Sequence, residues 1–224
     1  MMLLNQNAIH LWIIELDLTQ EPVSEQFILL STDEKARAER LKLAVHQEKF
    51  IRTRASLRLI LSKYLGIPPH FLAFDYNPAG KPTLKKTLHS SLHFNLSHSG
   101  GLAVIAIAQD SPLGIDLELM KTPYPESIAS RFFTPSEQAL LAVQTDRARA
   151  FYQVWSKKEA LIKANGQGLA ISLRQFSVTL ASHEAITFHN VTWQLFTPSL
   201  HPDYQTALAT ILVTPEIVVY RNPP

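Results

Sequence analysis

The strongest constraint on what this chain can fold into is a helical signal that occurs twice. Ser31-Thr32-Asp33-Glu34 has the spacing of a capping box, in which a hydroxyl residue and a carboxylate three positions on satisfy each other's backbone N–H groups. It predicts a helix running through Arg37 and Leu41, and after a short break a second one from about His46 to Tyr64, closed by Gly66. Thr134-Pro135-Ser136-Glu137 repeats the arrangement, with Pro135 in the first turn, where its missing N–H costs nothing. The helix after it is expected from about Arg147 to Ala164, ending near Gly166 or Gly168, since glycine suits a left-handed cap.

Strand patterns flank each helix pair. In the first half they are Ile9 to Leu16, Leu92 to Leu96 and Leu102 to Ala108. In the second they are Leu113 to Leu119, Phe176 to Leu180, Val191 to Phe196 and Thr206 to Val213. The halves share a plan and almost no sequence. The expectation is an α+β protein of two pseudo-repeated α/β lobes, residues 1–110 and 111–224, joined near Asp110-Ser111-Pro112. They would pack as one unit with the ligand site between them; coincidence of helix spacing is the alternative. Asn77-Pro78-Ala79-Gly80-Lys81-Pro82 must be a turn, because two prolines and a glycine block both helix and central strand. The tail Asn222-Pro223-Pro224 is expected to fray.

Composition removes several chemistries. The chain has no cysteine, which excludes disulfides, thiolate zinc sites and a thiol nucleophile. Its longest apolar stretch, Leu102 to Ala108, has seven residues, against about 20 for a membrane-spanning helix. The opening Met1 to Asp17 has no basic leader and reads as a first strand, so a cytoplasmic protein is expected. Net charge is +2, yet residues 35–63 hold nine basic side chains against Glu39 and Glu48. That stretch is either a solvated helix face or a seat for a polyanion.

Three constellations can carry chemistry. In Leu113-Gly114-Ile115-Asp116-Leu117-Glu118, alternation puts Asp116 and Glu118 on one strand face. The pair is a wet acidic face or a place for a hard cation such as magnesium, which takes carboxylates, waters and phosphates. In Trp155-Ser156-Lys157-Lys158-Glu159-Ala160-Leu161-Ile162-Lys163, the residues Trp155, Glu159 and Lys163 form a stripe at four-residue steps. A surface ion pair explains that stripe, and so does a third carboxylate with a phosphate-binding lysine. Phe94-Asn95-Leu96-Ser97-His98-Ser99-Gly100-Gly101 is a strand end running into a small-residue turn, where His98 and backbone N–H groups can hold an anion.

In this order and spacing the three segments resemble the signature of the 4′-phosphopantetheinyl transferases. The chain is similar to their larger, two-lobed Sfp-type branch in length and doubled plan. Gly80-Lys81-Pro82 and Arg131-Phe132-Phe133 also match that group, and the likeness covers roughly residues 30 to 180. The resemblance implies a magnesium-dependent enzyme that moves the 4′-phosphopantetheine of coenzyme A onto a serine of an acyl or peptidyl carrier protein. Adenosine 3′,5′-bisphosphate is the other product. It implies magnesium on Asp116, Glu118 and Glu159, with Glu159 also as general base and Lys163 on the diphosphate.

By the same resemblance Ser97, His98 and Lys158 belong to the phosphate site, Lys81 and Pro82 border the nucleotide, and Arg52 and Lys35 face the 3′-phosphate. Ala38 stands where relatives often carry a base, which leaves the register of the basic stretch open. The implied partners are coenzyme A and an acidic carrier, seated in part near Lys121 to Phe133. Neither nucleic acid nor membrane is implied, and the site is complete in one chain, as in a monomer. Two other readings are a basic nucleic-acid-binding module, which leaves the carboxylates unexplained, and another magnesium-dependent nucleotidyl or phosphoryl transferase. The sequence lacks the Walker-type glycine loop that would favour the latter.

Overall fold

Both capping boxes close as their spacing predicts. The amide of Ser31 donates to Glu34 Oε2 at 3.1 Å and that of Thr134 to Glu137 Oε2 at 2.8 Å. They open α2 (Thr32–Glu39) and α5 (Pro135–Ala142), followed by the long helices α3 (Ala44–Leu65) and α6 (Arg147–Asn165). Both long helices end on a glycine in the left-handed region, Gly66 and Gly166. The computed structural model describes residues 1–17, 22–168 and 171–221; the tail Asn222-Pro223-Pro224 lies outside them.

The strands are β1 (Ala8–Glu15), β2 (Phe74–Tyr76), β3 (Pro82–Leu84), β4 (Leu92–Ser99), β5 (Leu102–Gln109), β6 (Leu113–Leu119), β7 (His183–Phe188), β8 (Val191–Phe196), β9 (Tyr204–Thr210) and β10 (Glu216–Arg221). Two short helices, α1 (Val23–Ile28) and α4 (Glu126–Phe132), precede the helix pairs. The strands make two four-stranded sheets, ordered β10-β1-β5-β4 and β6-β9-β8-β7, and a hairpin β2-β3. In both halves a first strand leads into the helix pair, and a hairpin then returns its second strand beside the first. β1 therefore pairs antiparallel with β5, and β6 with β9. The chain passes from one sheet to the other at residues 110–112, while β10 returns to the first sheet in parallel with β1.

Alternation along the strands builds the layers. Ile9, Leu11 and Ile13 of β1 and Val104, Ala106 and Ala108 of β5 meet Leu113, Ile115 and Leu117 of β6 in one fully buried cluster between the sheets. The opposite faces take the long helices. Leu57, Ile60 and Leu61 of α3 pack on Trp12, Ile105 and Ile107, and Phe151, Val154 and Leu161 of α6 pack on Trp193, Leu195, Ala207 and Ala209. The order is helix, sheet, sheet, helix, with each helix burying one apolar stripe.

One expected strand is absent: residues 176–180 form no ladder. Their backbone groups are taken by side chains instead. Glu137 accepts from the amide of Val178 at 2.9 Å, Glu184 accepts from that of Thr179 at 3.0 Å, and Lys158 donates to the Phe176 carbonyl at 2.7 Å. A segment so satisfied has no need of a sheet partner.

Candidate active site

Gly114 decides how the site is assembled. It lies on the β6 face opposite Leu113 and Ile115, and a Cβ there would collide with the Ala160 carbonyl and the Ala164 amide of α6. Its absence lets the helix settle onto the strand, so the rest of that face, Asp116 and Glu118, meets the 155–159–163 stripe. The match is antiparallel. Lys163 Nζ donates to Asp116 Oδ1 at 2.6 Å, and Trp155 Nε1 donates to Glu118 Oε1 at 3.0 Å. Glu159 sits one turn from each, between the two pairs.

The other wall comes from the first lobe. Asn95, Ser97 and Ser99 point to one side of β4 and bond β6 through side chains. Asn95 Oδ1 accepts from the Ile115 amide at 2.9 Å. Ser97 Oγ donates to Asp116 Oδ1 at 3.0 Å, and Ser99 Oγ donates to Glu118 Oε2 at 3.2 Å. Lys163 reaches the same Ser97 hydroxyl at 3.0 Å. The carboxylates are thus held from both lobes at the seam.

Electrostatically the cluster is short of positive charge. Burial pushes the Glu159 carboxyl up to about 7, with repulsion from Asp116 and Glu118 adding to it and Lys163 opposing. Burial and then Asp116 also raise Glu118. Asp116 is 3% exposed, and its Oδ2 is buried without a hydrogen-bond partner among the described residues. Among the described residues no three histidine, aspartate or glutamate side chains are already gathered to hold a metal. The carboxylates are neighbours rather than a finished cage.

Beside the cluster opens a cleft of about 290 Å³, lined by Arg37, Phe50, Arg54 and Tyr76 from the first lobe and by Ile162, Lys163 and Gly166 from the second. His98 lines it too; burial lowers its imidazole, and Lys163 and Lys49 add repulsion. Lys81 and Pro82 form one side. Burial lowers the Lys81 ammonium to about 8.

Three of the expected phosphate contacts sit elsewhere. Lys158 is a correction: it is fully buried, donating to the carbonyls of Leu173 and Phe176 at 2.7 Å each and pairing with Glu137 at 2.8 Å. An ammonium so enclosed cannot reach a phosphate. Arg52 is buried in α3 outside the cleft lining, and Lys35 lies over the Phe27 ring, 5.6 Å from its centroid. Arg37 and Arg54 line the cleft instead. Arg54 is aimed by Glu34, which accepts from its Nε and from Arg58 Nε at 2.6 Å each. Burial works against the Glu34 charge, but the two guanidiniums outweigh it and hold its carboxyl below the usual range. With Arg52, Arg54 and Arg58 buried, the basic stretch is not a continuous surface stripe.

A seam of carboxylates and a lysine beside a cleft lined by Arg37, Arg54, Lys81 and Lys163 suits a protein that handles an anionic group. Comparison with known proteins narrows the class. A model of the 4′-phosphopantetheinyl transferase superfamily matches residues 112–209, and a model of the 4′-phosphopantetheinyl transferase N-terminal region matches residues 19–110. The 4′-phosphopantetheinyl transferase HetI of Nostoc sp. is 40% identical over 80% of this chain and 76% of its own. Psf-1 of Bacillus pumilus is 35% identical over 81% and 78%, and Sfp of Bacillus subtilis is 35% identical over 73% and 72%. The chain belongs to the 4′-phosphopantetheinyl transferase superfamily. It is a transferase that modifies a carrier protein with the phosphopantetheine group of coenzyme A. Among the described residues no helix is long and apolar enough to cross a membrane.

Proposed function

We propose that the seam cluster of Asp116, Glu118, Glu159 and Lys163 is where the phosphopantetheine group leaves coenzyme A for a carrier-protein serine. The observation that carries this reading is the shared contact of Lys163 with Asp116 and Ser97, beside the cationic cleft. The cleft takes the nucleotide end of coenzyme A. Arg37 and Arg54 stand where Lys35 and Arg52 were expected to meet its 3′-phosphate, with His98 near the diphosphate and Pro82 along the nucleotide.

A magnesium ion fits the donor set. The unpartnered Asp116 Oδ2, with the burial and carboxylate repulsion that raise Glu118 and Glu159, marks a place where a hard cation is stabilised by oxygen ligands. Asp116, Glu118 and Glu159 would hold it, and when bound it supplies charge neutralisation of the diphosphate. Glu159 accepts the serine proton, directly or through water. Lys163 places its ammonium beside the leaving phosphate and limits charge build-up there. Trp155 and Ser99 each hold one oxygen of Glu118, which fixes the acidic wall before substrate arrives.

Residues 1–110 and 111–224 act as one unit, since each lobe supplies part of the seam. The chain works as a monomer in the cytoplasm, and its carrier is acidic, matching the exposed Arg37, Arg40 and Lys42 around the end of α2. Apolar side chains near Lys121 to Phe133 help seat it.

The test is mass spectrometry of an apo carrier protein incubated with the enzyme, magnesium and coenzyme A. A gain of one phosphopantetheine group is expected, and its loss with Glu159→Ala in a variant that keeps its circular dichroism. Wild-type turnover in that variant would refute the assignment of the site.

A further inference from the structure

Lys81 lies on the first lobe, yet its ammonium is spent on the second. Nζ donates to the Lys163 carbonyl at 2.7 Å and to the Leu113 carbonyl at 3.1 Å, with the Ala164 carbonyl at 3.5 Å. A lysine has three N–H donors, and these three acceptors are arranged to take them all. The carbonyls of residues 163 and 164 belong to the last turn of α6, where helix carbonyls have no intrahelical donor and the helix end carries partial negative charge. Asn77, at the start of the same turn, completes the contact. Its Nδ2 donates to the Gly166 carbonyl at 2.6 Å, and its Oδ1 accepts from the Lys81 amide at 2.8 Å.

The consequence falls on Lys163. Its side chain reaches Asp116 and Ser97, while its own carbonyl is gripped by Lys81. We infer that Lys81, supported by Asn77, is a positioning residue: it latches the 77–82 turn onto the end of α6 and so fixes where Lys163 presents its ammonium, rather than contacting substrate phosphate itself. This rests on the role proposed above for Lys163.

Three measurements test it. In the ligand-free protein, Lys81→Met speeds amide exchange over residues 163–166 by about ten-fold, because the turn loses its cross-lobe cap. In transfer, Lys81→Met lowers kcat by about 10²-fold, the scale of a small misplacement of a reacting group. The factor is the same with coenzyme A and with 3′-dephospho-coenzyme A. Third, the chain has no cysteine, so Lys81→Cys offers one thiol to 2-bromoethylamine, and the restored aminoethyl chain recovers both exchange protection and kcat.

Asn77→Ala, which removes one bond of the latch, gives the same pattern at a smaller factor and serves if the lysine variants fold poorly. Unchanged exchange overturns the inference. So does a loss that disappears with 3′-dephospho-coenzyme A, since that marks a direct phosphate contact. The exchange readout needs no substrate, so an enzyme inactive on every carrier would refute the function and leave the latch standing.

Discussion

Replacing Glu159 with glutamine removes a carboxylate that the apo protein holds at a cost. Its pKa rises from 4.5 to about 7 on folding, through burial and the repulsion of Asp116 and Glu118. The folded protein therefore binds a proton between pH 4.5 and 7 that the unfolded chain has released. Unfolding releases that proton, so this group's contribution to stability falls as pH rises through the window and stays low above pH 7. At about 1.36 kcal/mol per decade the full cost is about 3 kcal/mol, which solvent screening of a partly exposed side chain brings to about 2 kcal/mol. In chelator, urea denaturation at pH 8 should find Glu159→Gln more stable than wild type by about 2 kcal/mol. Near pH 4.5 the two should nearly coincide. Glu118 gives both proteins a slope of the same sign, so the difference curve isolates Glu159. Transfer should fall by at least about 10²-fold, because an amide cannot accept the serine proton. A stability difference that does not change with pH, or a variant less stable at pH 8, would refute the reasoning.

Lys158→Met strips the buried Glu137 of its ammonium and should cost about 3–5 kcal/mol in denaturant. KM for coenzyme A should be unchanged, whereas a stable variant with weakened affinity would return Lys158 to the phosphate site. Glu34→Gln leaves Arg54 and Arg58 buried around a neutral group and should destabilise by about 3 kcal/mol while raising KM for coenzyme A, since Arg54 lines the cleft. An unaltered KM in the folded variant would show that Arg54 needs no aiming.

Local signals in the sequence were enough for the frame. Capping boxes and glycine caps are closed within a few residues, so α2, α3, α5 and α6 were legible, as were the predominantly apolar strands β1 and β5. Strands β7 and β10 were not, because each carries mixed polarity and is held by pairing with a partner far along the chain or across a short hairpin. Residues 176–180 carry the same apolar alternation as a strand, yet they are held by the side chains of Glu137, Glu184 and Lys158. Ser99 and Asn95 could have been found, since they share with Ser97 the period-two face of β4.

The sequence by itself determined which face each functional residue occupies. Alternation placed Asp116 with Glu118, the helical repeat placed Trp155, Glu159 and Lys163 together, and both rules follow from backbone geometry alone. Only the tertiary structure decided what each face meets. Lys158 and Glu159 are adjacent, but the 100° turn of a helix sends one into the core against Glu137 and the other to the seam. The same kind of long-range packing put Arg54 rather than Arg52 on the cleft wall and turned Lys81 onto the end of α6. Periodicity is a property of a segment; the partner of a face depends on contacts between residues far apart in the chain.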